Sequence, residues 1–274
     1  MKSIDVPMEN RENFPPYRRV TVKEISYSIG HQIAKGHFGT LYEATDTWNN
    51  PLAVKVYNRE SDEKIVDNEI KQLKKFASPY TVNLYEAFSH EGFHFLIMER
   101  FGVAISRVKT KDFDTKVKIF TECARSLLQV LHTIHQRGYM HGDINPQNVL
   151  IEIKNNQISG VKLCDFSFCR KVDSAEKTFM GVANWLLPPE LAHDGIERLS
   201  GAADVYHAAL VLHSLLRDEK LDYTEKEILE NKPQIDAFNS ESHLIRALAP
   251  ALEINTQKRV SALELWKNLI GAAN

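Results

Sequence analysis

The apolar residues of this chain change their spacing near residue 100, and that change limits the folds open to it. Before this point, short segments rich in β-branched and aromatic residues alternate with turns, which is typical of strands. These segments are 39–44, 52–57, 82–88 and 93–99, with a further strand signal at 23–27. After it, helical periodicity dominates, most clearly at 116–136 and 202–216. The pattern predicts an α+β chain with a strand-rich first part and a helical second part.

One predicted helix interrupts the strands of the first part. Residues 61–76 place Ile65, Glu69 and Leu73 on one face, so an acidic residue shares the buried side of the helix with apolar ones. Lys55 lies alone inside an apolar strand, and a buried ammonium group needs an anionic partner. Glu69 is the candidate for that partner.

A polar loop of sequence HGDINPQN precedes a strand-like segment in the second part. Asp143 can accept or orient a hydroxyl proton, and Asn148 offers an amide oxygen to a hard cation. Asp165 follows a predicted hairpin of strands 149–152 and 161–164, and it can supply a carboxylate to the same cation. Such a pair fits magnesium bound together with nucleotide phosphates.

Composition argues against several other classes of partner and site. The 34 Lys and Arg against 36 Asp and Glu give a net charge of −2, so nothing attracts the chain to nucleic acid or an anionic membrane. The first twenty residues lack the apolar centre of a secretory signal, and no apolar run reaches the about 18 residues of a membrane span. Three cysteines without metal-ligand spacing fit a reducing compartment. We therefore expect a cytoplasmic protein that binds neither nucleic acid nor membrane.

Taken in order along the chain, these motifs resemble the protein kinase superfamily from about Ile33 to Arg259. The resemblance implies a two-lobed protein-kinase-like fold with a small strand-rich N-lobe and a larger helical C-lobe. The implied divisions are an N-terminal extension at 1–23 and a catalytic domain at 24–270, with the N-lobe at about 24–98, the hinge at 99–102 and the C-lobe at 103–270.

The resemblance also implies roles for individual residues. Lys55 would hold the nucleotide phosphates, Glu69 would be its partner on the helix, and Asp143 would be the catalytic aspartate. Asn148 and Asp165 match the metal ligands, so ATP and Mg²⁺, or Mn²⁺ in its place, are the implied cofactors and a protein is the implied substrate. The glycine-rich loop, adenine pocket and hinge would supply the other ATP-binding residues: Ile33, Ala34, Lys35, Gly36, His37, Phe38, Gly39, Leu41, Ala53, Met98, Glu99, Phe101 and Leu150.

Gly142 departs from the family pattern, because it replaces the arginine that usually precedes the catalytic aspartate. The cation that would pair with a phosphorylated activation loop is then missing. We expect activity that does not depend on phosphorylation of Ser174 or Thr178.

Three further departures cluster near the catalytic residues. Asn145, which we include in the catalytic set, stands where serine/threonine kinases carry a lysine that touches the transferred phosphate, so one positive charge is absent there. Val182 replaces a threonine, and Ser167 replaces the glycine after Asp165-Phe166. These changes leave open a pseudokinase, a scaffold that binds nucleotide or a partner without transferring phosphate.

Residues later in the chain distinguish the remaining readings. Pro188-Pro189-Glu190 looks like the Ala-Pro-Glu element, Arg259 like its ion-pair partner, and Asp204 like the aspartate that holds the catalytic loop. Together they favour a protein kinase, with serine or threonine preferred to tyrosine as acceptor. The alternative is a small-molecule phosphotransferase of the aminoglycoside or choline kinase kind. Those enzymes have a His-Gly-Asp loop and a following hairpin that look similar to the ones in this chain.

Overall fold

A computed structural model of the chain describes residues 18–36, 38–57, 63–173, 187–194, 199–217 and 221–273. The chain divides into two compact units, one of residues 1–78 with 82–101 and one of 79–81 with 102–274. The first is rich in strands and the second in helices, which confirms the predicted α+β fold with two lobes.

The first unit is built on one six-stranded antiparallel sheet. Its strands are β1 (Arg19–Val22), β2 (Ile25–Lys35), β3 (Gly39–Thr45), β4 (Pro51–Tyr57), β5 (Leu84–His90) and β6 (Phe93–Glu99), in the order β1-β2-β3-β4-β6-β5. The sheet curls, since the hydroxyl of Tyr27 on β2 donates to Glu86 on β5 at 2.7 Å. Alternate side chains, including Val54 and Val56 of β4, fill the apolar core inside the curl.

The first hairpin begins earlier than the sequence predicts. The strand signal at 23–27 is in fact a turn followed by the start of β2, because Lys23 and Glu24 adopt φ values of 48° and 73°. Two-residue hairpin turns need positive φ, which glycine or asparagine usually supplies, so a Lys-Glu pair gives no turn signal. β1 therefore lies inside the range predicted as an extension, and it pairs with β2 along its whole length.

Helix α1 (Glu63–Lys75) is the one helix described in the first unit. It buries Ile65, Glu69 and Leu73 on one face, as the periodicity predicts. The polar Glu69 therefore lies among apolar side chains and needs hydrogen-bond donors there.

Helices dominate the second unit. The longest are α2 (Phe113–Gln136) and α4 (Gly201–Arg217), and α4 is buried along most of its length. The others are α3 (Pro189–Asp194), α5 (Glu225–Leu229), α6 (Lys232–Phe238), α7 (His243–Arg246) and α8 (Ala262–Ala273). None of the helices described has both the length and the hydropathy needed to cross a membrane.

Short strands in the second unit carry the polar loops. They are β7 (Val103–Ala104), β8 (Tyr139–Met140), β9 (Val149–Lys154), β10 (Gln157–Leu163) and β11 (Arg170–Lys171). The β9–β10 hairpin is longer than predicted, because Asn155 and Asn156 alone make its turn, with φ values of 51° and 58°. Asparagine tolerates this conformation, and two-residue hairpin turns require it.

Candidate active site

Lys55 and Glu69 form an ion pair inside the first unit. Because side chains alternate along a strand, Lys55 lies on the face of β4 opposite the core residues Val54 and Val56. Its Nζ donates to both carboxylate oxygens of Glu69, at 2.8 and 3.1 Å. The Glu69 side chain is 1% exposed and that of Lys55 is 13% exposed. The structure thus brings together the two residues that the sequence paired.

Tyr57 also contacts this pair, and sequence reasoning missed it. Its hydroxyl donates to Glu69, and the Nζ of Lys55 lies 5.0 Å from the centroid of its ring. The available signal was spacing, since a residue two positions after Lys55 shares its face of the strand.

The glycine-rich segment makes a turn between β2 and β3, in which the Gly36 amide donates to the Gly39 carbonyl at 2.8 Å. A side chain at Gly39 would overlap the carbonyl oxygen of Val56, so the close approach of β3 to β4 already requires glycine there. His37 lies outside the described residues. The phosphate-binding role of this turn stays a prediction.

The other predicted nucleotide-binding residues are distributed over both units. Ala53 and Met98 are register partners on β4 and β6, and both are buried. The carboxylate of Glu99 accepts a hydrogen bond from the Asn83 side chain at 3.1 Å. The first unit also holds Ile33, Ala34, Lys35, Phe38, Leu41 and Phe101, whereas Leu150 lies on β9 in the second unit.

Two side-chain amides hold the carboxylate of Asp143. Asn145 Nδ2 donates to its Oδ1 at 2.9 Å, and Asn148 Nδ2 donates to its Oδ2 at 2.7 Å. The Oδ1 of Asn145 in turn accepts from the backbone amides of Gln147 and Asn148. Asn145 therefore fixes both the loop and the acid, a role that the comparison with lysine at this position did not suggest.

Asp204, at the start of α4, holds the same loop from within the second unit. Its carboxylate accepts from the backbone amides of His141 and Gly142, at 2.7 and 2.9 Å, and lies 2.9 Å from His135 Nε2. Burial alone would raise the pKa of Asp204, but hydrogen bonding to His135 and the nearby histidines hold it below the usual carboxyl value. Gly142 has a φ of 80°, a conformation that favours glycine.

Asn148 and Asp165 stand beside each other at one end of the hairpin. The backbone carbonyl of Asn148 accepts from the Cys164 amide at 2.9 Å, which places Asp165 next in line. Ser167 Oγ donates to Asp165 Oδ1 at 2.6 Å, while the Asn148 amide nitrogen is turned toward Asp143. Among the described residues no group of three or more His, Cys, Asp and Glu side chains is placed to hold a metal ion.

A second ion pair joins Glu190 and Arg259. The two nitrogens of the guanidinium meet the two carboxylate oxygens at 2.9 and 3.0 Å, and the side chains are 2% and 0% exposed. Arg259 also donates to the carbonyls of Ala202 and Glu253. Ser174, Thr178 and Val182 lie outside the described residues.

Comparison with known proteins gives this arrangement a family. The sequence model described as the protein kinase domain matches residues 27–270. The chain belongs to that family. Its kinase domain is 25% identical over 252 residues to the serine/threonine-protein kinase STE20 of Yarrowia lipolytica, covering 86% of this chain and 22% of that protein.

Two further relatives of the kinase domain carry similar descriptions. The serine/threonine-protein kinase MST20 of Pyricularia oryzae is 27% identical over 86% of this chain and 27% of its own length. The CBL-interacting serine/threonine-protein kinase 18 of Arabidopsis thaliana is 26% identical over 88% of this chain and 48% of its own. The chain thus spans less than half the length of each of these three relatives.

Proposed function

We propose that this kinase domain transfers the γ-phosphoryl group of MgATP to a protein hydroxyl, with serine or threonine preferred to tyrosine. The geometry of Asp143 carries the proposal. Asn145 and Asn148 hold its two oxygens, and Asp204 clamps the loop behind it, so the carboxylate is fixed before any substrate arrives. A fixed carboxylate can orient an acceptor hydroxyl and take its proton. The descriptions of the relatives support serine or threonine as acceptor.

Lys55 would hold the phosphates of ATP. Glu69 fixes its ammonium group through two hydrogen bonds, and the side chain keeps 13% of its surface exposed. A cation held in place before binding stabilises the negative charge of the transferring group without further reorganisation.

Asn148 and Asp165 would hold magnesium. Amide and carboxylate oxygens are the hard ligands that this ion prefers, and manganese accepts the same set. When bound, the ion would offset the charge of the phosphates. Ser167 would keep the Asp165 carboxylate oriented through its hydroxyl, and Asn148 would keep its oxygen outward through its bond to Asp143.

The contacts of Asn145 favour an active kinase over a pseudokinase scaffold. Asn145 adds no positive charge near the transferred phosphate, but its hydrogen bonds align Asp143. The sealed Glu190–Arg259 pair favours a protein over a small molecule as acceptor, because the resemblance places both residues in the part of the fold that docks peptides.

Labelled ATP tests the proposal. Wild type and Asp143→Asn are incubated with magnesium, a generic protein substrate, and a panel of aminoglycosides and choline. We expect label on the protein with wild type, and a loss of about 10²- to 10⁴-fold in the variant. Equal labelling by both would contradict the role of Asp143. Label on a small molecule alone would select that class of kinase, and nucleotide binding without any label would select the scaffold.

A further inference from the structure

Tyr57 is a buried residue to which the proposed mechanism gives no role. Its side chain is 0% exposed at the end of β4. It contacts both members of the ion pair, since its hydroxyl donates to Glu69 and its ring lies under the ammonium group of Lys55. Two side chains of β4 and one of α1 are therefore in mutual contact within the same unit.

The chemistry of a buried carboxylate explains why a third member matters. Glu69 is 1% exposed, and an ionised carboxylate at such depth needs several donors to offset the loss of water. Lys55 supplies two contacts, but its ammonium is also the group expected to face phosphate. A neutral hydroxyl gives Glu69 another hydrogen-bond donor. It adds no second cation that would compete with Lys55 for Glu69 or for the phosphate.

The Tyr57 side chain also has little freedom to move. A tyrosine side chain rotates about two bonds only, and that of Tyr57 is fully buried. Its hydroxyl is therefore held in one position relative to the sheet. Glu69 is carried by α1, and any rotation of this helix would move the carboxylate away from β4. The hydroxyl thus ties the buried face of the helix to the strand that carries Lys55.

We propose that Tyr57 is a positioning residue that holds Glu69 in the orientation in which it aligns Lys55 for the ATP phosphates. The inference rests on the proposed function, in which Lys55 contacts those phosphates. Tyr57 itself touches no substrate. It acts through Glu69, so its effect should appear in the use of ATP and be absent from the use of the protein acceptor.

Tyr57→Phe tests this, because it removes the hydroxyl and keeps the ring. We expect kcat/KM for ATP to fall about tenfold, the size typical of a lost hydrogen bond to a charged group, with KM for the protein acceptor unchanged. The fall should shrink to within about twofold when both enzymes carry Glu69→Gln, because two residues that act through one contact are not additive.

Tyr27→Phe is the matched control. Tyr27 is also buried in this sheet, and its hydroxyl also donates to a glutamate, Glu86, but it packs with Val54 and Val56 on the face of the sheet opposite Lys55. We expect this variant to keep kcat/KM for ATP within about twofold of wild type, as for a site without shared contacts. Equal losses in Tyr27→Phe and Tyr57→Phe would show general destabilisation and overturn the proposal, as would wild-type kinetics in Tyr57→Phe.

Hydrogen exchange provides a readout that needs no phosphoryl transfer. Without nucleotide, the backbone amides of α1 should exchange faster in Tyr57→Phe than in wild type or Tyr27→Phe. If wild type transfers no phosphate, the proposed function fails, and this measurement still decides whether Tyr57 holds the helix. Unchanged exchange in α1 of Tyr57→Phe would overturn the positioning role, whatever the activity.

Discussion

The two units of the kinase domain each bury a salt bridge to a glutamate, and the two pairs differ in how far they are sealed. Arg259 has a side chain with 0% exposure, two contacts to Glu190, and further bonds to backbone carbonyls. Lys55 keeps 13% exposure, and its partner Glu69 is shared with Tyr57. A sealed guanidinium can only support the fold, whereas a partly exposed ammonium can also meet a ligand.

Breaking the sealed pair should give the largest effect on stability. Arg259→Met leaves Glu190 buried without its cation, and such a loss costs about 3–5 kcal/mol of the free energy of unfolding. Chemical denaturation of the purified protein measures it. A loss below about 1 kcal/mol, the usual value for an exposed pair, would show that the bridge is not sealed in solution.

Lys55→Met should reduce stability less than Arg259→Met does, and it should strongly reduce phosphoryl transfer. Tyr57 still donates to Glu69 in this variant, so we expect a smaller loss of about 1–3 kcal/mol, typical of one missing partner at a buried acceptor. Phosphoryl transfer should fall by about 10²-fold or more, since a preset cation is lost. Denaturation and labelling of a protein substrate are measured on the same preparation. A stability loss equal to that of Arg259→Met would erase the distinction between the pairs.

Acidification extends the comparison to Asp204, a buried carboxylate held by two backbone amides and His135. Burial raises its pKa, yet the hydrogen bond with His135 and the nearby histidines hold the pKa below the usual value. A pKa that is lower in the folded state than in the unfolded state stabilises the fold. This stabilisation is fully present above about pH 3.9, the pKa of an aspartate in the unfolded chain, and it is lost as the pH falls through the pKa of the folded state. Below about pH 4 the free energy of unfolding of wild type should fall more steeply than that of Asp204→Asn. Parallel curves from acid titration would argue against a lowered pKa.

Removing the candidate phosphorylation sites should have the smallest effect. Gly142 supplies no cation to receive a phosphate on the activation loop, so internal contacts must hold the catalytic loop instead. The double variant Ser174→Ala and Thr178→Ala should therefore retain wild-type labelling of a protein substrate. Abolished activity in a well-folded double variant would mean that a loop phosphate completes the site after all.

Periodicity predicted the helices α1, α2 and α4 and the strands β3 to β6, β9 and β10, but not the two-residue strands β7, β8 and β11 or the other helices of the second unit. It missed the turn at Lys23-Glu24, because neither residue is the glycine or asparagine that usually marks positive φ, and it made the turn at Asn155-Asn156 too long. Local rules assign segments well when one face is buried, and they fail where the backbone conformation is unusual.

The candidate site divides in a similar way. Lys55 and Glu69 could be paired from burial and charge, 14 positions apart, whereas Glu190 and Arg259 are separated by 69 positions and were paired only through the family resemblance. The hydrogen bonds donated by the Asn145 side-chain amide and by the Tyr57 hydroxyl depend on side-chain directions that are fixed by packing. Spacing places Tyr57 on the same strand face as Lys55, but the direction of its hydroxyl, like that of the Asn145 amide, could be known only from the folded chain.

The close contact between β3 and β4 at Gly39 has a consequence for evolution. Any other residue there would push its side chain into the carbonyl of Val56 and force the two strands apart. Selection for an intact sheet is therefore enough to retain glycine at this position, whether or not the loop binds a nucleotide. If the loop binds phosphate as proposed, Gly36 would record that binding better than Gly39, because a side chain at Gly36 would make only an ordinary contact with the Gly39 carbonyl.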